Sequence, residues 1–117
     1  LGPGGSYRLT PLYDVLTAQP SLEAGQVQRK QMKLSMSVGT NRHYRIDEIQ
    51  RRHFVQTALA AGLSRSAIAM VLEEVVDTAP KALETVENAL PNDFPTAVSV
   101  SVSRGVKQRL DVLVAAP

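Results

Sequence analysis

Short segments in the first half of the chain carry hydrophobic residues at every second position. In "MKLSMSV" the alternate positions from Met32 to Val38 are apolar, which is the period of a β-strand with one buried face. The turn-forming letters "GTNR" follow, and then a second short segment, "HYRI". This pattern predicts a β-hairpin over residues 32–46. Nearer the start, "YRLT" predicts another short strand, which Pro11 ends.

The second half of the chain instead carries apolar positions at steps of three and four residues, as helices do. We expect Asp47 to cap a first helix, with Gln50 completing a capping box, and Gly62 to follow the end of that helix. Ser64 is suited to cap a second helix. Pro80 is expected to break or restart that second helix, because proline has no N–H to continue it.

The last periodic segment, "TAVSVSVSRGVKQRLDVLV", fits two periods. Its valines alternate with serines as in a strand, yet a helical stripe also runs through it. Asp93 as a cap with Pro95 just inside favours a helix, although Gly105 and the β-branched residues lower its propensity. We therefore predict a helix. Its stripe consists of Val98, Val102, Val106, Leu110 and Leu113.

Composition fits one globular domain. The chain has 117 residues, of which 44% are hydrophobic and 21% charged. We divide it into a strand and acid block at 6–16, a loop at 17–31, the hairpin at 32–46 and a helical bundle at 47–117. The loop is ordered or mobile, with room for one helical turn. The expected fold class is mainly α with a short β-hairpin.

Several classes of protein are excluded by what the sequence lacks. It has no cysteine, so it can form neither a disulfide framework nor a zinc site built on thiolates. It has no apolar run of about 20 residues that could span a bilayer. Without a charged and then apolar leader pattern at its start, we expect a cytoplasmic protein that does not enter membranes.

Charge is distributed unevenly along the chain. Residues 1–65 hold nine Lys or Arg against four acids, whereas the remainder holds four bases against seven acids. A basic first half could contact the phosphates of a nucleotide or a nucleic acid, or it could be a solvated surface. Charge alone leaves both interpretations open.

The residues most often used in catalysis do not form a recognisable site. His43 and His53 are the only histidines, and a metal site needs more ligands than this pair offers. We expect His53, between Arg52 and Phe54, to have a packing or capping role. No serine lies in a nucleophile elbow, and "GPGG" lacks the flanking strand and helix of a phosphate loop. A complete active site is therefore not expected within these residues.

The stretch "ALAAGLSRSAIAMV" has the spacing of a helix-turn-helix unit. Gly62 would form the turn, and Arg65 and Ser66 would begin a recognition helix. Any tight corner between two helices needs a similar pattern, however, and Glu73 and Glu74 further along would repel phosphate. A plain helical corner and a small DNA-binding or protein-binding module therefore remain alternatives.

One acid stands alone in an apolar setting. Asp14, in "PLYDVL", is the only charged residue of its segment, and burying an ionised carboxylate there is costly unless a partner compensates it. Enzymes that transfer phosphoryl groups use an acid placed after a strand to hold Mg²⁺ against ATP phosphates. An acid in such a place can equally be a turn or helix cap.

Three blocks, "GGSYRLTPLYDVL", "MKLSMSVGTNRHYRIDEIQRRHF" and "NDFPTAVSVSVSRGVKQRL", resemble the C-terminal part of HipA-family serine/threonine protein kinases. These kinases are the toxins of HipBA toxin–antitoxin modules. The resemblance extends from about Gly5 to Leu113. It implies the helical C-terminal subdomain of a kinase-like C-lobe, in which Asp14 is the counterpart of the Asp-Phe-Gly aspartate. Asp14 would then bind Mg²⁺ and so orient the phosphates of ATP.

The resemblance also implies partners and missing parts. The family's protein substrate is glutamyl-tRNA synthetase, and a HipB-like DNA-binding antitoxin brings the kinase to DNA indirectly. The family's phosphate-covering loop, ATP-binding lysine and catalytic loop have no match in these 117 residues. We therefore expect a fragment that is inactive alone. The resemblance further favours a helix at the C-terminal end, and a helical corner within a kinase lobe at "GLSRSAI".

Overall fold

The structure is a computed structural model that describes residues 16–115. Within this range it is mainly helical, with one antiparallel β-hairpin, which confirms the predicted fold class. The strand predicted at "YRLT" lies outside the described residues. In chain order the elements are α1 (Gln19–Glu23), a 3₁₀ turn (Arg29–Gln31), β1 (Lys33–Val38), β2 (His43–Arg45), α2 (Arg51–Ala60), α3 (Arg65–Ala89) and α4 (Thr96–Val114).

The hairpin forms where the alternating pattern predicts it. Lys33 is paired with Arg45 and Val38 with His43, with an irregularity in the register between these two pairs. The turn is closed by a hydrogen bond of 3.1 Å from the Arg42 N–H to the Gly39 carbonyl. Gly39 has a φ of 79°, a conformation in which glycine has no side chain to strain. The segment before the hairpin, predicted as a loop with room for one helical turn, contains the short helix α1 and also a 3₁₀ turn that was not predicted.

Helix α2 does not begin at the cap that the sequence suggests. Gln50, not Asp47, is the residue that precedes its first turn. The carboxylate of Asp47 is held instead by the guanidinium of Arg45, with an N–O distance of 2.7 Å. The prediction that Asp47 caps α2 is therefore wrong, because the carboxylate of Asp47 is bound to Arg45.

The corner between α2 and α3 follows the prediction. α2 ends at Ala60, and Gly62 has a φ of 87°, as a glycine after a helix end often has. Ser64 then caps α3, since its hydroxyl accepts a hydrogen bond of 3.2 Å from the Ala67 N–H. These features confirm a tight helical corner at this place.

Pro80 does not interrupt α3, which continues as one helix from Arg65 to Ala89. The prediction of a break there is wrong. Pro80 is exposed. At this position the helix gives up the hydrogen bond to the Val76 carbonyl and must accommodate the proline ring beside that carbonyl. Apolar residues on both sides of Pro80 keep the helix against its neighbours: Leu72, Val76, Leu83 and Leu90 are all half-buried.

The last periodic segment is the helix α4, as predicted, and not a strand. Its start differs from the prediction, because Pro95 and not Asp93 is the cap. The Phe94 N–H bonds to the Pro91 carbonyl at 2.9 Å, which keeps the chain in a turn as far as Phe94. The Pro95 carbonyl then accepts the first helical hydrogen bond, from Val98, at 3.0 Å.

Helix α4 buries serines and only half-buries its valines. Ser101 and Ser103 are both buried, and the Ser103 hydroxyl donates a hydrogen bond to the Glu87 carboxylate on α3. Two arginines also tie α4 to the rest of the domain: Arg109 donates to the Ile46 carbonyl, and Arg51 donates to the Leu113 carbonyl at 2.7 Å. Polar contacts therefore carry much of the packing of α4.

Helix α1 lies against α4 at Gly105. A Cβ atom at this glycine would be 2.7 Å from Cδ and 2.8 Å from Cγ of the Gln19 side chain. A salt bridge of 3.3 Å between Arg104 and Glu23 lies beside this contact. A glycine within α4 lowers the stability of the helix, but the absence of a side chain at Gly105 leaves space for the Gln19 side chain of α1.

We expect the effect of Gly105→Ala on stability to depend on Gln19. In the natural chain the helix-propensity gain of alanine is offset by the contact with the Gln19 side chain. In a Gln19→Ala background that contact is gone, and Gly105→Ala should raise the free energy of unfolding by roughly 0.5–1 kcal/mol. Urea unfolding of the four chains of this double-mutant cycle measures the coupling. Equal effects of Gly105→Ala in both backgrounds would contradict the contact.

Candidate functional site

The residues that the sequence analysis considers for chemical roles lie in different parts of the chain. Asp14, the predicted Mg²⁺ ligand, lies outside the described residues. His43 and His53 lie on β2 and α2, and the hairpin folds back onto the helix so that their rings meet. This junction between hairpin and helix is the candidate site that the described residues offer.

The two imidazole rings are stacked. Their centroids are 3.9 Å apart and their planes differ by 11°. His53 is buried, with 3% of its surface exposed, while the side chain of His43 retains 25% exposure. The outer ring therefore shields the inner one from water.

The hydrogen bonding of His53 determines which of its nitrogens carries the proton. The Gln50 N–H points at His53 Nδ1 over 3.2 Å, so Nδ1 is the acceptor and the neutral ring carries its proton on Nε2. Burial lowers the pKa of His53 below the ordinary value of 6.5, and the nearby His43 and Arg52 lower it further. His53 thus has the capping and packing role that the sequence predicts.

The turn of the hairpin is fastened to α2 next to this pair. The Gly39 N–H donates to Thr57 Oγ1 at 2.7 Å, and the Thr40 N–H donates to Gln56 Oε1 at 3.0 Å. Thr57 Oγ1 in turn donates to the His53 carbonyl at 3.0 Å. Two side chains of α2 therefore hold the turn by accepting hydrogen bonds from its backbone amides. The contact between the two imidazole rings holds β2 on the same helix.

A cluster of charges lies on the other side of His43. Arg45 contacts the Asp47 carboxylate at 2.7 Å and the Glu48 carboxylate at 3.0 Å. The hydrogen bond from Arg45 lowers the pKa of Asp47, and the same bond raises the pKa of Arg45. These side chains are between a quarter and a half exposed, so solvent screens the interaction. Glu48 also approaches His43 Nδ1, at 4.0 Å.

Among residues 16–115 no group of three or more His, Asp or Glu side chains is arranged to hold a metal ion. The two histidines confirm this in detail, because parallel stacked rings cannot point two lone pairs at one tetrahedral ion.

A protein-family model described as the HipA-like C-terminal domain matches residues 1–83. The chain belongs to this family. The HipA-like match includes Asp14, the hairpin, α2 and the first part of α3, so the stacked histidines lie within it. Helix α4 lies beyond the match, although it packs against α1, α2 and α3 and completes the fold.

Two further findings bear on the predicted classes. In the part of the HipA-like chain that the structure describes, no helix is both long and apolar enough to cross a membrane.

Arg65 and Ser66 lie exposed in the first turn of α3, as a recognition helix would require. The same helix also exposes Glu73, Glu74 and Asp77, which phosphate would repel.

The stacked pair is the feature that the sequence did not predict. The histidines are ten residues apart in the chain and lie on different predicted elements. A partial signal existed, because His53 is the third residue of α2, where a side chain can reach back to the amide of the capping residue. The stacking itself depends on how the hairpin folds onto α2, which no local pattern encodes.

Proposed function

We propose that this HipA-like domain works within a serine/threonine protein kinase that transfers the γ-phosphate of ATP to a protein. The observation that carries the proposal is the family match over residues 1–83, which includes the block "PLYDVL". In protein kinases an aspartate with the role proposed for Asp14 holds the Mg²⁺ that bridges the ATP phosphates. The ion supplies charge neutralisation, and Asp14 would fix its position.

The described residues would contribute support and not chemistry. The hairpin, α2, α3 and α4 would form part of the scaffold of the kinase. The loops that cover ATP and the catalytic loop would come from other parts of the kinase. The chain alone is therefore expected to have no turnover.

The same proposal includes partners by family resemblance. The kinase would associate with a HipB-like DNA-binding antitoxin and would reach DNA only through it. Its protein substrate would be of the type of glutamyl-tRNA synthetase. Phosphorylation of such a target adds a charge of about −2 at neutral pH.

Asp14→Asn tests the proposed role of the acid. In the complete HipA-like kinase this change should lower transfer of labelled γ-phosphate at least about 100-fold, because the amide is neutral and a poorer ligand for Mg²⁺. ATP affinity should also lose its dependence on Mg²⁺, which calorimetry with and without the ion measures. Circular dichroism should be unchanged.

The matched control is Asp77→Asn, which removes an exposed carboxylate from α3. It should leave both transfer and Mg²⁺-dependent ATP binding as they are. Transfer that survives in Asp14→Asn at the level of the control would overturn the role proposed for Asp14.

A further inference from the structure

The contact between the hairpin and α2 rests on a neutral His53. Its Nδ1 accepts a hydrogen bond of 3.2 Å from the Gln50 N–H. Among the described residues, no other side chain accepts a hydrogen bond from this amide. A proton on Nδ1 would turn the acceptor into a donor, so two N–H groups would face each other. The Gln50 N–H would then lose its acceptor, and one half of the capping box at the start of α2 would be lost.

The surroundings of His53 also oppose a positive charge. The ring is buried against His43, with the centroids 3.9 Å apart. Besides burial, His43 on β2 and Arg52 on α2 lower the pKa of His53. The acid Glu48 approaches the outer ring, at 4.0 Å from His43 Nδ1.

The turn of the hairpin lies directly on this ring. A Cβ atom at Gly39 would be 3.0 Å from His53 Cβ and 3.2 Å from His53 Cδ2. The two amides that fasten the turn, those of Gly39 and Thr40, bond to Thr57 and Gln56 on the turn of α2 that follows His53. Movement of the His53 ring would therefore disturb both of these bonds.

We propose that the stacked pair of His43 and His53 is a pH-sensitive contact that holds the hairpin on α2 while His53 is neutral and releases it when His53 takes up a proton. This inference does not rest on the proposed kinase activity. It assigns a conformational role to two residues that the proposed chemistry does not use.

The direction of the pH dependence follows from the lowered pKa of His53. Since this pKa is below 6.5 in the docked state and returns towards 6.5 on release, the released state binds more protons. Docking is thus fully stabilised above about pH 6.5 and weakens as the pH falls through the lower, docked-state value.

Hydrogen–deuterium exchange of the full chain between pH 5 and pH 7.5 tests the proposal. After correction for intrinsic exchange, protection of the Gly39 and Thr40 amides should fall at least about threefold towards pH 5. The Ile68 amide, bonded at 3.0 Å to the Ser64 carbonyl in the α2–α3 corner, is the internal reference and should not change. Protection of Gly39 and Thr40 that is constant with pH would overturn the proposal.

Two variants separate titration from packing. His53→Gln keeps a side chain that can reach the Gln50 amide but cannot titrate in this range, so protection of the turn should become independent of pH. His43→Phe keeps an aromatic ring and removes the electrostatic effect of His43 on the pKa of His53, so the pH dependence should persist but become shallower. An unaltered pH profile in His53→Gln would show that another group is responsible and would refute the role of His53.

Discussion

Gly39→Ala is expected to lower the free energy of unfolding by about 3 kcal/mol. Gly39 has a φ of 79°, which costs a residue with a Cβ about 1 kcal/mol or more. The new Cβ would also be 2.9 Å from Gln56 Oε1 and 3.0 Å from His53 Cβ, and such crowding costs typically 1–3 kcal/mol. Urea unfolding followed by circular dichroism measures the loss.

Gly62→Ala is the matched control for this variant. Gly62 has a similar φ of 87°, but a Cβ there would meet nothing within 4 Å. Its loss should be about 1 kcal/mol, the cost of the backbone conformation alone. The difference between the two variants therefore isolates the packing of the turn on α2. Equal losses would mean that the turn does not press on His53 and Gln56.

The local elements of the fold could be predicted because each has a short-range cause. The alternation from Met32 to Val38 and the turn letters after it define the hairpin, and Ser64 and Gly62 define the corner between α2 and α3. In α4 the helical period outweighed the alternating valines because the segment is long enough for a stripe to pack on α3. Local patterns of this kind can be recognised without knowing which surface the element packs against.

The three errors share a cause, which is an interaction with other residues that the propensity of a single residue does not include. Asp47 has the chemistry of a cap, but Arg45 binds its carboxylate first. Asp93 would suit a helix start, but the turn that Phe94 closes on Pro91 delays the helix to Thr96. Pro80 lowers the stability of α3 locally, but packing on both sides outweighs that cost. Propensity scales describe a residue alone and so do not contain these terms.

The candidate site was less predictable than the fold. Asp14 was recognised from a motif, and its role stays a prediction because it lies outside residues 16–115. The stacked histidines were visible in the sequence only as two separate residues. Their contact requires the irregular hairpin, the turn at Gly39 and α2 to be placed together, and such long-range geometry follows from tertiary packing.

The buried core indicates which single substitution should destabilise the helical part most. Among residues 16–115, Ile49 and Ile68 are the buried apolar residues, at 5% and 4% exposure. Ile68 lies in the first turns of α3 and faces Phe54 and Ala58 of α2 across an apolar groove. With so few buried side chains, each carries a large part of a total stability that is about 5–15 kcal/mol in typical domains.

Ile68→Ala should therefore lower the free energy of unfolding by about 3 kcal/mol, since truncating a buried isoleucine costs roughly 2–5 kcal/mol. Met70→Ala, two residues along the same helix, is the control: Met70 is 69% exposed, and a surface substitution there should stay within about 0.5 kcal/mol. Thermal and urea unfolding of both variants give the two values. A loss at Ile68 no larger than that at Met70 would mean that the α2–α3 corner is not the packed centre of the domain, and that the polar ties of α4 through Arg51 and Arg109 carry its stability instead.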